Sequence, residues 1–131
     1  MATRLENAGH EGLTQFDRYL ELFPRYIRGQ RGLSENTERV YLDDLRSFRQ
    51  YLAVEKLSLT DMDRQTLRGY LAWLTTEGKG GREGYARVSV ARKLTVVRAF
   101  YRFLVQEGLF RSTPVPSGQS FKVKVSKTLP D

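Results

Sequence analysis

Any chemistry in this chain has to come from carboxylates, tyrosines, a single histidine or a large excess of cations, because its 131 residues include no cysteine. Disulfides, thiolate zinc sites and cysteine nucleophiles are thereby excluded. The carboxylates form short groups, Asp43-Asp44 and Asp61/Asp63, which read as surface or cap positions without an organised partner, so no metal is expected. The lone His10 precedes Gly12 and Leu13 in a segment expected to be a disordered leader. Each of the seven tyrosines is accounted for by a helix face. The stretch Gly78-Lys79-Gly80-Gly81-Arg82-Glu83-Gly84 invites comparison with a phosphate-cradling loop. That pattern needs Ser or Thr after its Gly-Lys at a strand-to-helix turn, and neither is present. It reads instead as a mobile basic loop, with Arg82 beside a polyanion backbone, and no cofactor is expected.

The cations are segregated. Residues 1–63 carry 9 Lys/Arg against 11 Asp/Glu, a balance of −2, whereas 64–131 carry 13 against 4, a balance of +9, which together make the +7 of the whole chain. A one-sided positive field suits a polyanion, nucleic acid being the usual one, although a solubility role is the plain alternative. The segment Met1–Gly12 lacks the basic start, apolar run and small-residue site of a secretory signal, and no segment approaches membrane-spanning length. A cytoplasmic, soluble protein without membrane partners is expected, nucleoid-associated when bound to DNA.

The elements that must position these cations are helices. Apolar residues recur at helical spacing in four places and nowhere in sustained alternation, so the fold class is all-α, with four to five helices. The first helix is predicted over about Thr14 to Gln30, capped by Thr14, with Phe16, Leu20, Phe23 and Ile27 buried and a kink or break at Pro24. The second starts at Ser34, a good N-cap followed by Glu35, and runs to about Val54 with Tyr41, Leu45, Phe48 and Leu52 facing the core. A third follows Asp63 to near Glu77, burying Leu67, Tyr70, Leu71 and Leu74 with Trp73 alongside. The fourth, about Ala86 to Glu107, divides into two faces: Val90, Leu94, Val97, Tyr101 and Leu104 against Arg92, Thr95, Arg98, Ala99 and Arg102. Its outer face has no acidic residue between Arg87 and Gln106, and Ala99 at its centre would permit close approach, so it is the candidate recognition surface. Residues 1–12 are expected as a disordered leader, 13–115 as one domain and 116–131 as a linker, in which Lys122, Lys124 and Lys127 can follow a phosphate backbone.

Two motifs carry a resemblance. The run from Gly32 to Phe48, Gly-Leu-Ser-Glu-Asn-Thr-Glu-Arg-Val-Tyr-Leu-Asp-Asp-Leu-Arg-Ser-Phe, resembles the signature of tyrosine-recombinase (phage-integrase, Xer-like) core-binding domains. The run from Ser89 to Leu104 is similar to that family's Arg-x-Leu-Ser-x-Leu-Arg-x-Phe-Tyr-x-Phe-Leu helix. Thr113-Pro114 departs from a more usual Asn-Pro, and the glycine loop is long. The resemblance spans about Leu13 to Asp131 and implies a SAM-like orthogonal bundle that clamps duplex DNA at a recombination site. It implies that Asn36, Thr37 and Tyr41 lie at the start of the second helix, and that Ser89, Arg92, Lys93, Thr95 and Arg98 on the fourth meet a groove or its phosphates. Ser34 remains a cap first and Tyr41 a core residue first.

In that family the cleaving tyrosine works within a set of arginines, a lysine and histidines that stabilise phosphoryl transfer. The family's His-x-x-Arg motif has no counterpart in this sequence. No catalysis is therefore expected of this chain alone. Its implied partners are double-stranded DNA, a catalytic domain absent from this chain and sister subunits. The alternative is a helical interaction module whose fourth helix binds an acidic protein.

Overall fold

The computed structural model describes the backbone of residues 2–31, 34–76 and 84–116, and the side chains of 13–29, 34–76 and 84–116. Its elements are α1 (Ala2–Arg31), α2 (Glu35–Glu55), a single 3-10 turn (Leu59–Asp61), α3 (Arg64–Thr76) and α4 (Arg87–Gln106). The described residues form a four-helix bundle without strands, and none of these helices is long and apolar enough to cross a membrane.

Local chemistry explains most boundaries. Ser34 caps α2, its Oγ accepting from the Thr37 N–H at 3.2 Å. Lys56 closes α2 in the left-handed region at φ 58°, so its N–H returns to the last-turn carbonyls of Leu52 and Ala53. Asp63 caps α3 by accepting from the Thr66 N–H at 2.8 Å, which holds its carboxyl below the ordinary carboxylate range.

The first helix differs from expectation at both points where a break was foreseen. Its backbone is helical from Ala2, so Thr14 lies inside the helix and does not cap it. The segment before it contains Ala, Arg, Leu and Glu, good helix formers, and a modest cap signal does not stop a helix whose preceding residues can continue it. Nor does Pro24 break the helix. Phe23 and Ile27, on either side of it, are fully buried, and their packing outweighs a lost hydrogen bond.

The helix α4 is the centre of the bundle and packs on α1, α2 and α3. The Phe100 ring meets Phe16 and Phe23 of α1, each with centroids 5.3 Å apart, while Phe103 meets Tyr26 at 5.1 Å. Tyr101 packs against Phe48 of α2 and donates its hydroxyl to the Leu59 carbonyl at 2.8 Å. Burial pushes that hydroxyl's pKa up, so it stays a donor. Two forked ion pairs set α1 against α2. Arg49 reaches Asp17 at 2.7 and 3.0 Å, and Arg28 reaches Glu38 at 2.7 and 3.1 Å. The order of these pairs makes the helices antiparallel. Exposed pairs of this kind add little stability.

The chain enters α4 through a tight approach. Tyr85 donates its N–H to Leu74 O at 2.8 Å, and a β-carbon on Gly84 would collide with the backbone of Thr75 and Leu74. Gly84→Ala is expected to destabilise the domain by about 1–3 kcal/mol in urea unfolding. At Gly29, inside α1, a β-carbon would meet nothing within 4 Å, so Gly29→Ala should stabilise by about 0.5–1 kcal/mol in the same measurement.

Candidate nucleic-acid interface

Because α4 has neighbours on three sides, little of it reaches solvent. Val90, Leu94, Val97, Tyr101 and Leu104 are buried as expected, and Val96, Phe100 and Phe103 join them. The exposed positions Val88, Arg92, Thr95, Arg102 and Gln106 form a narrow line at helical spacing along the outer side. Arg87 is exposed at its head, and Ser89 and Arg98 are half-buried along its edges. No acidic residue interrupts the line.

Two residues expected on this face lie elsewhere. Ala99 is 5% exposed and Lys93 is 3% exposed. On the helical wheel Ala99 falls within the same angular strip as Arg92, Thr95 and Arg102, so its burial interrupts the exposed line between Thr95 and Arg102. The position of closest approach therefore passes from Ala99 to Thr95, whose hydroxyl donates to Ala91 O at 3.1 Å and keeps its lone pairs outward.

Lys93 is drawn inward by Asp44. The Asp44 carboxylate, 1% exposed on α2, accepts from Lys93 Nζ at 2.7 Å through Oδ1. It also accepts from Arg92, whose Nε reaches Oδ2 at 2.8 Å and whose Nη2 reaches Oδ1 at 2.9 Å. Lys93 Nζ lies 4.3 Å from the centroid of the Tyr85 ring, a cation–π contact. Hydrogen bonding to Asp44 raises the Arg92 pKa further, and the guanidinium remains charged. Asp44 was expected at the surface with Asp43. Asp43 is indeed exposed and pairs with Arg46 at 2.8 Å, but Asp44 is in the buried stripe of α2. The signal available was its register, between Tyr41 and Phe48 and next to Leu45. Tyr85, counted with the other tyrosines as part of a helix face, lies before the start of α4 instead, and its contact with Lys93 was missed.

The remaining expected residues are placed as follows. Asn36 is exposed in the first turn of α2, and Thr37 is half-buried there, its Oγ1 accepting from Ser34 Oγ at 3.1 Å. Tyr41 is half-buried on α2, three residues before Asp44 and on the same side of the helix as this acid and its partners Arg92 and Lys93. Arg98 leans toward the chain's exit, with Nη2 3.5 Å from Pro116 O and its Nε buried without a partner. Arg82, Lys122 and Lys124 lie outside the described residues, as do all but Gly84 of the glycine loop and 117–131 of the expected linker.

Chemically, the arrangement is a row of guanidinium donors beside a small polar residue on a rigid helix, suited to an oxygen-rich anion. Among the described residues, no three His, Asp or Glu side chains gather as metal ligands. Removing the acid beneath the row should unfold the domain before it alters the surface. Asp44→Ala leaves the Lys93 charge buried and is expected to cost about 3–5 kcal/mol, read from urea midpoints. Arg102→Ala, on the exposed line, should stay within about 0.5 kcal/mol of wild type.

Comparison with known proteins agrees with the motifs. The family model described as phage integrase, N-terminal SAM-like domain, matches residues 20–108. Tyrosine recombinase XerC of Myxococcus xanthus is 35% identical over 119 residues, covering 90% of this chain and 37% of that protein. Tyrosine recombinase XerD of Rhizobium meliloti (strain 1021) is 36% identical over 112 residues, covering 86% of this chain and 33% of that protein. XerD of Shewanella oneidensis is 34% identical over 117 residues, 89% of this chain and 36% of its own length. The chain thus spans about a third of the length of these relatives. No solved structure matches it. With a family model covering more than half of its length, this chain belongs to the phage-integrase N-terminal SAM-like domain family.

Proposed function

We propose that this chain is the DNA-binding module of a site-specific tyrosine recombinase, holding duplex DNA at the recombination site while a catalytic domain, outside this chain, performs strand exchange. The observation that carries this reading is the outer line of α4, where Arg92, Thr95 and Arg102 are exposed on one rigid helix with no acidic side chain among them. From Arg92 to Arg102 is about 15 Å at the helical rise, comparable with the roughly 12 Å width of a B-DNA major groove. Arg102 and Arg87 are the outer cations that meet phosphates, Thr95 marks the point of nearest approach, and Asn36 and Thr37 add polar groups from α2. Arg82, Ser89, Arg98, Lys122 and Lys124 complete the proposed contacts, whereas Lys93 serves the fold. In the cell this module acts on nucleoid DNA in the cytoplasm, together with its catalytic domain and sister subunits.

Steep salt dependence is the mark of phosphate contacts, because neutralised phosphates release counterions. In a fluorescence-anisotropy titration of a labelled duplex across salt concentrations, wild type should bind with a steep negative log-log slope. Arg102→Ala should reduce that slope by about 0.9, the value of one phosphate contact on B-DNA. Thr95→Glu, which sets a carboxylate on the line, should abolish binding without changing the unfolding midpoint. No binding at low salt, or a Thr95→Glu variant that binds like wild type, overturns the reading and favours an interaction module for an acidic protein.

A further inference from the structure

The Asp44 carboxylate explains more than the burial of Lys93. A guanidinium has five N–H donors in one plane, and Asp44 engages only the edge formed by Nε and one hydrogen of Nη2. The other edge, formed by Nη1 and the second hydrogen of Nη2, is directed away from the carboxylate by the planarity of the group. The Arg92 side chain is 45% exposed while Asp44 is 1% exposed, so the engaged edge faces the core and the remaining one faces out. Asp44 cannot swing to follow a moving arginine, because its Oδ1 is also held by Lys93 from within the core. Arg92 is therefore a fixed fork, unlike an ordinary surface arginine that must be ordered when it binds.

We propose that Asp44 is a positioning residue that locks Arg92 as an outward two-donor fork for a planar pair of acceptors on DNA, and that duplex recognition depends on this orientation as well as on the charge. The inference rests on the DNA-binding reading above. Two sources supply such an acceptor pair: the N7/O6 edge of a guanine in the major groove and the two free oxygens of a phosphate. A pre-ordered fork suits either, because it avoids the entropy of fixing a long side chain at the moment of binding.

Charge and orientation can be separated. Asp44→Asn combined with Lys93→Met removes one buried charge of each sign, keeps the net charge of the chain and leaves Arg92 in place. An asparagine carbonyl offers one oxygen, so the bidentate hold on Arg92 is lost. Circular dichroism and a cooperative unfolding transition establish that the double variant is folded. Arg92→Lys in the otherwise native chain retains the positive charge and removes the fork, giving a second route that leaves Asp44 and Lys93 untouched. In duplex titrations, both variants should lose about tenfold in affinity, close to the loss on Arg92→Ala. In ¹⁵N spectra of the free protein, the Arg92 Nε–H signal should be slow to exchange with solvent in wild type and fast in the double variant.

The source of the acceptors is read from the same titrations. A phosphate partner shows as a salt slope reduced by about 0.9 in Arg92→Ala with equal losses on all duplexes, and a guanine edge as discrimination lost at one base pair in Arg92→Ala and Arg92→Lys alike. Either pattern, with the tenfold loss, supports the proposal. Wild-type-like binding by Arg92→Lys and by the folded double variant overturns it and leaves Asp44 a purely structural acid. Absence of wild-type binding at any salt overturns the DNA-binding reading itself, and this inference with it.

Discussion

A carboxylate with 1% of its surface exposed has to be surrounded by donors, and the architecture of this domain follows from how Asp44 finds them. Transferring charges out of water costs several kcal/mol per ion, and that cost is offset only where the hydrogen bonding is complete. Here Oδ1 accepts from both Lys93 and Arg92, and Oδ2 from Arg92, so three short bonds tie α2 to α4. A slip of either helix by one residue would separate these charges while they remained buried. The register is thus enforced by penalty as much as by attraction, and Phe48 and Tyr101 then meet in an adjoining layer of the core. Lys93 satisfies the acid from inside and Arg92 from the rim, which is how a core requirement and a surface feature come to share one group.

The central place of α4 has the opposite effect on function: it restricts it. Ten of its 20 residues are buried, so a helix that is cationic along its length shows solvent a single strip. Breadth is exchanged for rigidity. Each exposed side chain is attached to a backbone held on several sides by aromatic packing, from Phe16 and Phe23 of α1 to Phe48 of α2. Sites carried on such elements keep their geometry better than sites on loops. The strip also has a low point at Thr95, flanked by longer arginines.

What could be read from the residues alone was whatever depends on neighbours in the chain. The Ser34 cap, the Asp63 cap and five buried positions of α4 are local or periodic features, and each appears where its pattern put it. The family motif was legible for the same reason. The failures share a different cause. Thr14 is an adequate cap, but a cap competes with the propensity of the residues before it, and Pro24 competes with the packing of Phe23 and Ile27. Asp44 was assigned to the surface as part of a short acidic group, and Lys93 to a DNA contact by the resemblance; that they neutralise each other across two helices, 49 positions apart in sequence, is a tertiary fact. Ala99 is covered although the wheel puts it in the middle of the outer strip, and periodicity carries no information on what covers a position. The exposed cationic strip of α4 was therefore legible in its charge, and the buried acid that pairs with Arg92 was not.

The same helix also governs where the chain leaves the bundle. After Gly108, which takes a positive φ of 90°, Leu109 and Phe110 fold back against the core and the Phe110 ring packs on Tyr101 at 5.6 Å. Val115 is buried at 6% exposure, and Arg98 reaches from α4 to Pro116 O. Residues 109–116 are thus bound to the element that carries the cationic strip, and Arg98 is the side chain common to both. A guanidinium with one buried, unpaired Nε and a long 3.5 Å bond to a carbonyl is under-satisfied where it sits. The α4 surface and residues 109–116 therefore share one arginine, which contributes to both and is fully satisfied by neither.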